Sequence, residues 1–396
     1  MADILVAGGG IGGLAAALGL ARHGHRITVL ERRELFAEVG AGIQLGPNAF
    51  AALDLLGVGE EVRRRAVHIG ELRFMDGTTG ARVAALPLTG AYRARFGNPY
   101  AVVHRADLYV PLLDACRREP AVRLRGRRHV VGYEQRGGRV RALLADGGHV
   151  TGDALIGADG LHSAIRAQLV GDGTPRMSGH TVHRAVIPMA EVPEELRWNA
   201  VTLWAGPRWH FVHYPIAGGT HLNLAATLDN GATEAVAGVP VDRADVLASF
   251  PRLSGPARRL LELGRDWKAW TQCDRDPVDR WTDGRVTLLG DAAHPMLQYA
   301  AQGACQALED AVLLGELLDG CPADYEQRLE KYGALRRERT ARVQSVSRHL
   351  GRHVYHAAGE ARVERNAMLS SLTADDLHDQ LAWLHGVTGF GQGARR

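Results

Sequence analysis

The sequence predicts an α/β protein in which a doubly wound parallel-sheet domain is interrupted by an inserted β-sheet domain and followed by a C-terminal helical segment. Three observations predict it. A strand, a glycine-rich turn and a helix open the chain at residues 4–22. An apolar strand of the same buried type returns at 286–290. The stretch between, from about 178 to 276, is rich in short strand patterns. With 396 residues there is chain enough for two or three domains. The expected boundaries are 1–177 for the first part of the discontinuous domain, including a small sheet insertion at about 65–100, then 178–276 for the inserted β-rich domain. The first domain resumes over 277–325, helices fill 326–385, and 386–396 is a Gly-rich flexible tail.

Taken in order, Ile4-Leu5-Val6 is an apolar run ending in Gly8-Gly9-Gly10-Ile11-Gly12-Gly13. A helical stretch from Leu14 to Arg22 follows, stopped at Gly24, and Ile27-Thr28-Val29-Leu30 is a second strand closed by Glu31. Residues 44–62 and 106–118 read as helices. Residues 122–154 alternate in short runs broken by Gly137-Gly138 and Asp146-Gly147-Gly148, which is hairpin patterning. Ala154 to Gly157 is a buried strand running into Asp159-Gly160. Val182–Pro188, Ala200–Trp204, His210–Pro215 and His221–Ala226 are the best strands of the inserted domain, and residues 303–352 are helical.

Composition narrows the function classes. Forty-seven basic against 44 acidic residues give a formal charge of +3, too balanced for the concentrated basic patch of a nucleic-acid-binding protein. Cys116, Cys273, Cys305 and Cys321 lie far apart with no zinc spacing, which fits a reducing compartment. Met1-Ala2-Asp3 runs straight into a strand without a basic leader, and no stretch reaches the ~18–20 apolar residues of a membrane span. A soluble cytoplasmic protein is expected.

Gly8-x-Gly10-x-x-Gly13 between a strand and a helix is a Rossmann-type dinucleotide fingerprint. Gly8 permits the turn, Gly10 admits a pyrophosphate to the backbone, and Gly13 lets the helix pack on the sheet. The helix N-terminus offers unpaired N–H groups to the phosphates. Glu31 can accept hydrogen bonds from ribose hydroxyls and would repel a 2′-phosphate, so FAD or NAD is expected in this first site rather than NADP. Two later segments favour FAD. Gly284 to Pro295 is a buried strand ending in Gly290-Asp291, an aspartate placed to bond a ribityl hydroxyl, and Gly303-Ala304 can offer backbone N–H groups to a flavin carbonyl. Asp159-Gly160-x-x-Ser163-x-x-Arg166 follows another apolar strand; Asp159 there also has a plain structural reading, as a helix cap paired with Arg166.

At these residues the chain resembles the single-component (class A) flavin-dependent aromatic hydroxylases of the p-hydroxybenzoate hydroxylase fold. All three family motifs stand in the family's order, and the resemblance spans roughly residues 3–345. It implies FAD held by Gly8, Gly10, Gly12, Gly13, Glu31, Arg32, Arg105, Asp159, Asp291, Gly303 and Ala304. It also implies NADH or NADPH as a transient co-substrate without a Rossmann domain of its own, O₂ as the other co-substrate, and no metal. A homodimer is compatible with it. In this family reduced flavin activates O₂ for transfer to an electron-rich aromatic ring.

Within the family, Trp204 to Pro215 resembles the substrate-facing strand of the branch acting on 3-hydroxybenzoate and 6-hydroxynicotinate. Strand periodicity puts His210, Val212 and Tyr214 on one face and Trp209, Phe211 and His213 on the other. His210 and Tyr214, roughly 13 Å apart along a strand, would then touch opposite ends of a small ring. Gln298, after the Gly-Asp motif, matches the 3-hydroxybenzoate enzymes. The expected reaction is para-hydroxylation of 3-hydroxybenzoate to gentisate, with His210 as the base for the phenol proton and Tyr214 and Gln298 orienting the ring. Salicylate, a 6-hydroxynicotinate-type acid or a biosynthetic intermediate remain alternative substrates. A non-hydroxylating flavin-binding redox sensor is the alternative of another class. His294 is expected to be structural, and Arg336-Arg337-Glu338-Arg339 to be a solvated helix face.

Overall fold

Runs such as Leu5-Val6-Ala7 and Leu155-Ile156-Gly157 carry no polar face, so they are stable only as strands covered on both sides. In the computed structural model, which describes residues 1–36, 42–320 and 324–387, they form the centre of a six-stranded sheet. Its order is Thr282–Asp283, Val286–Leu288, Ala154–Gly157, Asp3–Ala7, Arg26–Leu30, Val122–Arg125. All neighbours are parallel except the first pair. Val6 sits between Val29 and Ile156, and Leu155 beside Val286, so residues far apart in sequence complete one sheet. Helices Ile11–Arg22 and Gly303–Leu317 pack together against it. They touch closely because Gly19 is bare: a Cβ there would lie 2.5 Å from the carbonyl oxygen of Ala311.

A second sheet has eight strands in the order Ala237–Pro240, Lys268–Asp274, Arg176–Pro188, His221–Ala232, Trp209–Ile216, Ala200–Gly206, Glu71–Asp76, Arg82–Pro87. One face is apolar. Trp204, Phe211 and Leu224 are fully buried there against Phe250, Leu260 and Trp267 from the layer that includes helices Arg243–Ala248 and Gly255–Leu263. Each such side chain contributes about 1.5–3 kcal/mol. The other face is mixed polar and apolar and carries the residues discussed below.

Two expectations are corrected by this architecture. The stretch at about 65–100 is not a small sheet within the first domain. Its strands Glu71–Asp76 and Arg82–Pro87 extend the eight-stranded sheet, the former parallel to Ala200–Gly206, because Leu72 and Phe74 find apolar neighbours there. The run Arg336-Arg337-Glu338-Arg339 in helix Tyr325–His349 is not a uniformly solvated face. Arg336 is 3% exposed and is tied to Glu309 and Asp310 on helix Gly303–Leu317. Arg339 reaches Glu309 and caps the last carbonyls of helix Ala374–His385 through Trp383 and Leu384.

Cys116, Cys273 and Cys305 are free thiols, whereas Cys321 and tail residues 388–396 lie outside the described residues. Among the described residues no helix is long and apolar enough to cross a membrane.

Candidate active site

The three motif loops converge at the carboxyl ends of the central strands, where an open α/β sheet binds its ligand. Gly8 adopts φ +103°, and a Cβ on it would lie 2.3 Å from the carbonyl oxygen of Ala158, so the glycine turn rests directly on the Asp159 loop. Gly12 and Gly13 act one layer back: the Cβ positions of Gly12 are filled by Leu289 and Ala307, and that of Gly13 by the Gly8 carbonyl. Gly12 thus spaces the fingerprint helix from the Gly-Asp strand. Asp291 is exposed at the head of the turn Gly290–Ala292, and its Oδ1 lies 3.9 Å from the Cβ position of Gly303, which starts the next helix beside Ala304.

A cleft of about 310 Å³ opens at the glycine turn, lined by Gly8, Gly9, Gly10, Glu31, Arg32, Arg105 and Asp159 among others; Gly12, Gly13, Asp291, Gly303 and Ala304 do not line it. Glu31 is braced by the backbone N–H groups of Gly9 (2.8 Å) and Arg33 (2.9 Å), and each carboxylate oxygen keeps acceptor capacity for a ribose hydroxyl. Helix Ile11–Arg22 begins at Gly10 with no side-chain cap and no acidic residue in its first turn, so its leading N–H groups are left for an anion. Helix Gly303–Leu317 begins in the same way. Tyr109 fixes the loop by donating to the Gly9 carbonyl (2.9 Å). The cradle fits the adenosine diphosphate half of FAD.

Asp159 is a helix cap, as its structural reading expects, but not with the expected partner, and it stands at the cleft wall. It lines the cleft and caps helix Ala164–Leu169, accepting from Ser163 Oγ and from the N–H of Ala164 (2.8 Å). Burial raises its pKa against those bonds. Arg166 does not pair with it. The Arg166 guanidinium instead holds Asp172 (2.7 Å) and the carbonyls of Ala292 (3.1 Å) and Ala293 (2.7 Å), lashing the Asp-Gly helix to the Gly-Asp turn. His294 is structural: its Nε2 meets Asp310 Oδ2 at 2.6 Å with both side chains fully buried. The Asp310 carboxyl, which burial alone would raise, is held down at about 2 by His294 and Arg336.

On the eight-stranded sheet the alternation of Trp209–Ile216 is as the residue pattern predicts. His213 faces the apolar side, stacked 6.4 Å from Trp204, and burial drives its pKa down to about 3. His210 and Tyr214 face the other side. His210 is 2% exposed, its Nδ1 lies 2.7 Å from Nε2 of His356, and Tyr299 and Tyr355 stand edge-on to its ring. Burial pushes its pKa well below the usual histidine value, with His356 and His180 adding to the shift. Tyr214 is buried beside the Gly42 backbone and bonded to Gln44; burial raises its phenol to about 12, so it stays protonated. Gln298 hydrogen-bonds to neither ring directly: its Oε1 accepts from Arg184 (2.6 Å), and its Nε2 donates to Oγ1 of Thr227 (3.2 Å), the residue paired with His210 across the strands.

Arg184, His356, Tyr299 and Tyr355 were missed by sequence reasoning as site residues. Arg184 is a partly buried guanidinium near Tyr214, and among the described residues no carboxylate pairs with it. An arginine within the largely buried strand run Val182 to Ile187, at a position of the same face as His210 by register, is the signal that could have found it. His356 arrives from the π-helical turn Leu350–Tyr355, which ends helix Tyr325–His349 and has no local sequence signature.

The Glu31 contact is testable. Glu31→Ala should weaken FAD retention roughly 10- to 100-fold, the worth of one or two hydrogen bonds to a charged acceptor, read as flavin absorbance left after dialysis. A variant that stays fully yellow would remove the ribose contact from this account.

Comparison with known proteins agrees with this geometry. The FAD binding domain family matches residues 1–347. The 3-hydroxybenzoate 6-hydroxylase 1 of Aquipseudomonas alcaligenes is 50% identical over 97% of both chains. The 3-hydroxybenzoate 6-hydroxylase of Polaromonas naphthalenivorans (strain CJ2) is 45% identical over 97% of this chain and 95% of its own. Among solved structures, a salicylate hydroxylase substrate complex superposes with a TM-score of 0.85 at 26% identity, covering 100% of this chain and 97% of that one. Klebsiella pneumoniae HpxO complexed with FAD and uric acid also gives 0.85, at 25% identity and 98% of each chain. A cleft that fits FAD, a family match over residues 1–347 and nearly full-length relatives at 50% and 45% identity together place the chain in the FAD-binding-domain family of flavin-dependent aromatic-ring monooxygenases.

Proposed function

We propose that this chain hydroxylates 3-hydroxybenzoate para to its phenol, giving 2,5-dihydroxybenzoate (gentisate) at the expense of NADH or NADPH and O₂. The observation that carries the reading is the array on one sheet face: a histidine at one end, and at the other a guanidinium that no carboxylate among the described residues pairs with, held by Gln298, whose amide also reaches Thr227 opposite His210. An aromatic acid with a meta hydroxyl presents the complementary pair, an anion and an acidic O–H on the same small ring. The three relatives of 50%, 45% and 44% identity bearing the name 3-hydroxybenzoate 6-hydroxylase support it.

Bound FAD, once reduced by NADH or NADPH, would activate O₂ so that one of its oxygen atoms can pass to the ring and the other leave as water, and the residues described here prepare the ring to receive it. Arg184 takes the carboxylate, a charge-assisted bond that Gln298 aligns by holding the guanidinium. Tyr214, protonated, donates at the same end. His210 accepts the phenol proton, and the resulting phenolate is electron-rich para to its oxygen, where the new bond forms.

The test is stimulated NADH oxidation with product identification. 3-Hydroxybenzoate should accelerate oxidation and yield gentisate, whereas phenol, which lacks the anion, should bind at least roughly 10-fold more weakly. The Arg184→Gln protein should lose most of that difference. Acceleration by salicylate alone, or gentisate formation with phenol and 3-hydroxybenzoate bound equally well, would overturn the substrate or the Arg184 role respectively.

A further inference from the structure

His210 cannot be the final holder of a phenol proton. A buried imidazolium needs a counter-charge or water to stabilise it, and among the described residues the rings packed against His210 are those of Tyr299, Tyr355 and His356, none of which carries a carboxylate. A phenol titrates near 10 and an ordinary imidazole near 6.5, so leaving the proton on an imidazole costs about 3.5 pK steps, or about 5 kcal/mol, before burial adds to it.

The geometry points to a proton path from the substrate phenol through His210 and His356 to His180 and Asp229 at the protein surface. This rests on the phenolic substrate proposed above. The tautomers define it. If Nδ1 of His210 donates to Nε2 of His356 across 2.7 Å, Nε2 of His210 is the lone-pair atom free to accept from the phenol. His356 then carries its proton on Nδ1, a buried atom with no partner among the described residues. Acceptor atoms of His356, His180 and Asp229 gather within 4.8 Å of one another, a gap one water spans. His180 Nε2 stands 4.0 Å from Asp229 Oδ1, and the Asp229 side chain is 34% exposed. His180 is oriented by the Tyr299 hydroxyl at its Nδ1, which leaves Nε2 facing the carboxylate.

The step balances without redox change. The phenol O–H bond breaks and its electron pair stays on oxygen. A proton bonds to His210 Nε2, the Nδ1 proton of His210 moves to His356 Nε2, and the Nδ1 proton of His356 leaves through Asp229 or His180 to water. Reversal of the path returns a proton to the hydroxylated product. The other charged groups at the outer end are Arg208, which contacts Asp229, and Arg352, whose field reaches His180. Burial keeps His356 neutral, with its pKa lowered to about 3, so the path stays open across the neutral range.

In this path His356, His180 and Asp229 are positioning and relay residues that need not touch substrate. The test uses oxidised, FAD-loaded enzyme mixed rapidly with 3-hydroxybenzoate in weak buffer without NADH. Phenolate absorbance and a pH-indicator dye are followed together. The wild type should form phenolate and release a proton in one fast phase. His356→Phe and Asp229→Asn should slow both signals roughly 10-fold or more while substrate affinity and flavin content hold, and Asp229→Glu should restore the rate. Release as fast in Asp229→Asn and His356→Phe as in the wild type overturns the path, as does wild-type binding with no ionisation. Asp229 is at the surface, so that arm survives should His356→Phe fail to fold. A wild type that does not bind 3-hydroxybenzoate at all overturns the proposed substrate instead, which separates the two failures.

Discussion

His210→Ala is expected to slow hydroxylation roughly 10²- to 10⁴-fold, the usual contribution of a positioned general base, while the protein keeps its flavin. The two halves of that expectation come from different parts of the molecule. The cleft that fits FAD is lined largely by the six-stranded sheet's loops, with Glu31 and Asp159, and by Arg105 at the start of helix Arg105–Arg118. The imidazole sits instead on the eight-stranded sheet, enclosed by Tyr299, Tyr355 and His356. Alanine leaves His356 Nε2 without its partner and opens a polar hole, so a stability loss accompanies the rate loss. His210→Gln, which keeps most of the volume and a donor, separates the two: it should fold nearly as well and still be slow. Rapid-quench measurement of product in a single turnover reads the chemical step directly. An unchanged single-turnover rate in either variant would end the assignment of His210 as base.

How much of this was legible in the sequence depended on the range of the physics. The fingerprint was legible because a glycine turn, a helix N-terminus and Glu31 act within one βαβ unit. The faces of Trp209–Ile216 were legible because side-chain alternation is a property of a single strand: His213 went to the Trp204 side and His210 to the other. The bonds that make the site work are not local. Arg184 meets Gln298 across 114 positions, and His210 meets His356 across 146. Nothing in either residue's neighbourhood announces its partner. The strand Glu71–Asp76 failed for the same reason, since its pairing with Ala200–Gly206 is set by which apolar edge is open and not by its own pattern. The charged run at 336–339 failed differently. Four charged residues in a row read as solvent-facing, yet Tyr332, Arg336, Thr340, Val343 and Ser347 are all buried at helical spacing. The signal was present and composition outweighed it.

That buried arginine gives the largest stability effect. Arg336→Met should cost about 3–5 kcal/mol, the penalty for stranding buried charge when one partner of an ion pair is removed. Arg336 donates to Asp310 Oδ1 (2.6 Å), Glu309 Oε2 (2.7 Å) and Gln306 Oε1 (2.7 Å). Glu309 would keep Arg339 and Asn48, whereas Asp310 would keep His294 and the Gly290 N–H. Asp310 is therefore the more exposed to the loss, having neither a second arginine nor solvent. The pH dependence follows from its sign. In the wild type its carboxyl is depressed from 3.8 to about 2, so its contribution is present above about 3.8 and disappears as pH falls through about 2. In the variant the attraction is weaker while burial still raises the carboxyl. The folded pKa climbs, and the stranded charge can be relieved by taking up a proton. Urea midpoints for the two proteins should accordingly lie far apart at pH 7 and draw together toward pH 4. Because Asp310 also holds the Gly290 N–H, the variant should bind FAD more weakly through the Gly290–Ala292 turn. A loss below about 1 kcal/mol that does not change with pH would match a surface ion pair instead, and would return Arg336 to the solvated face its neighbours suggest.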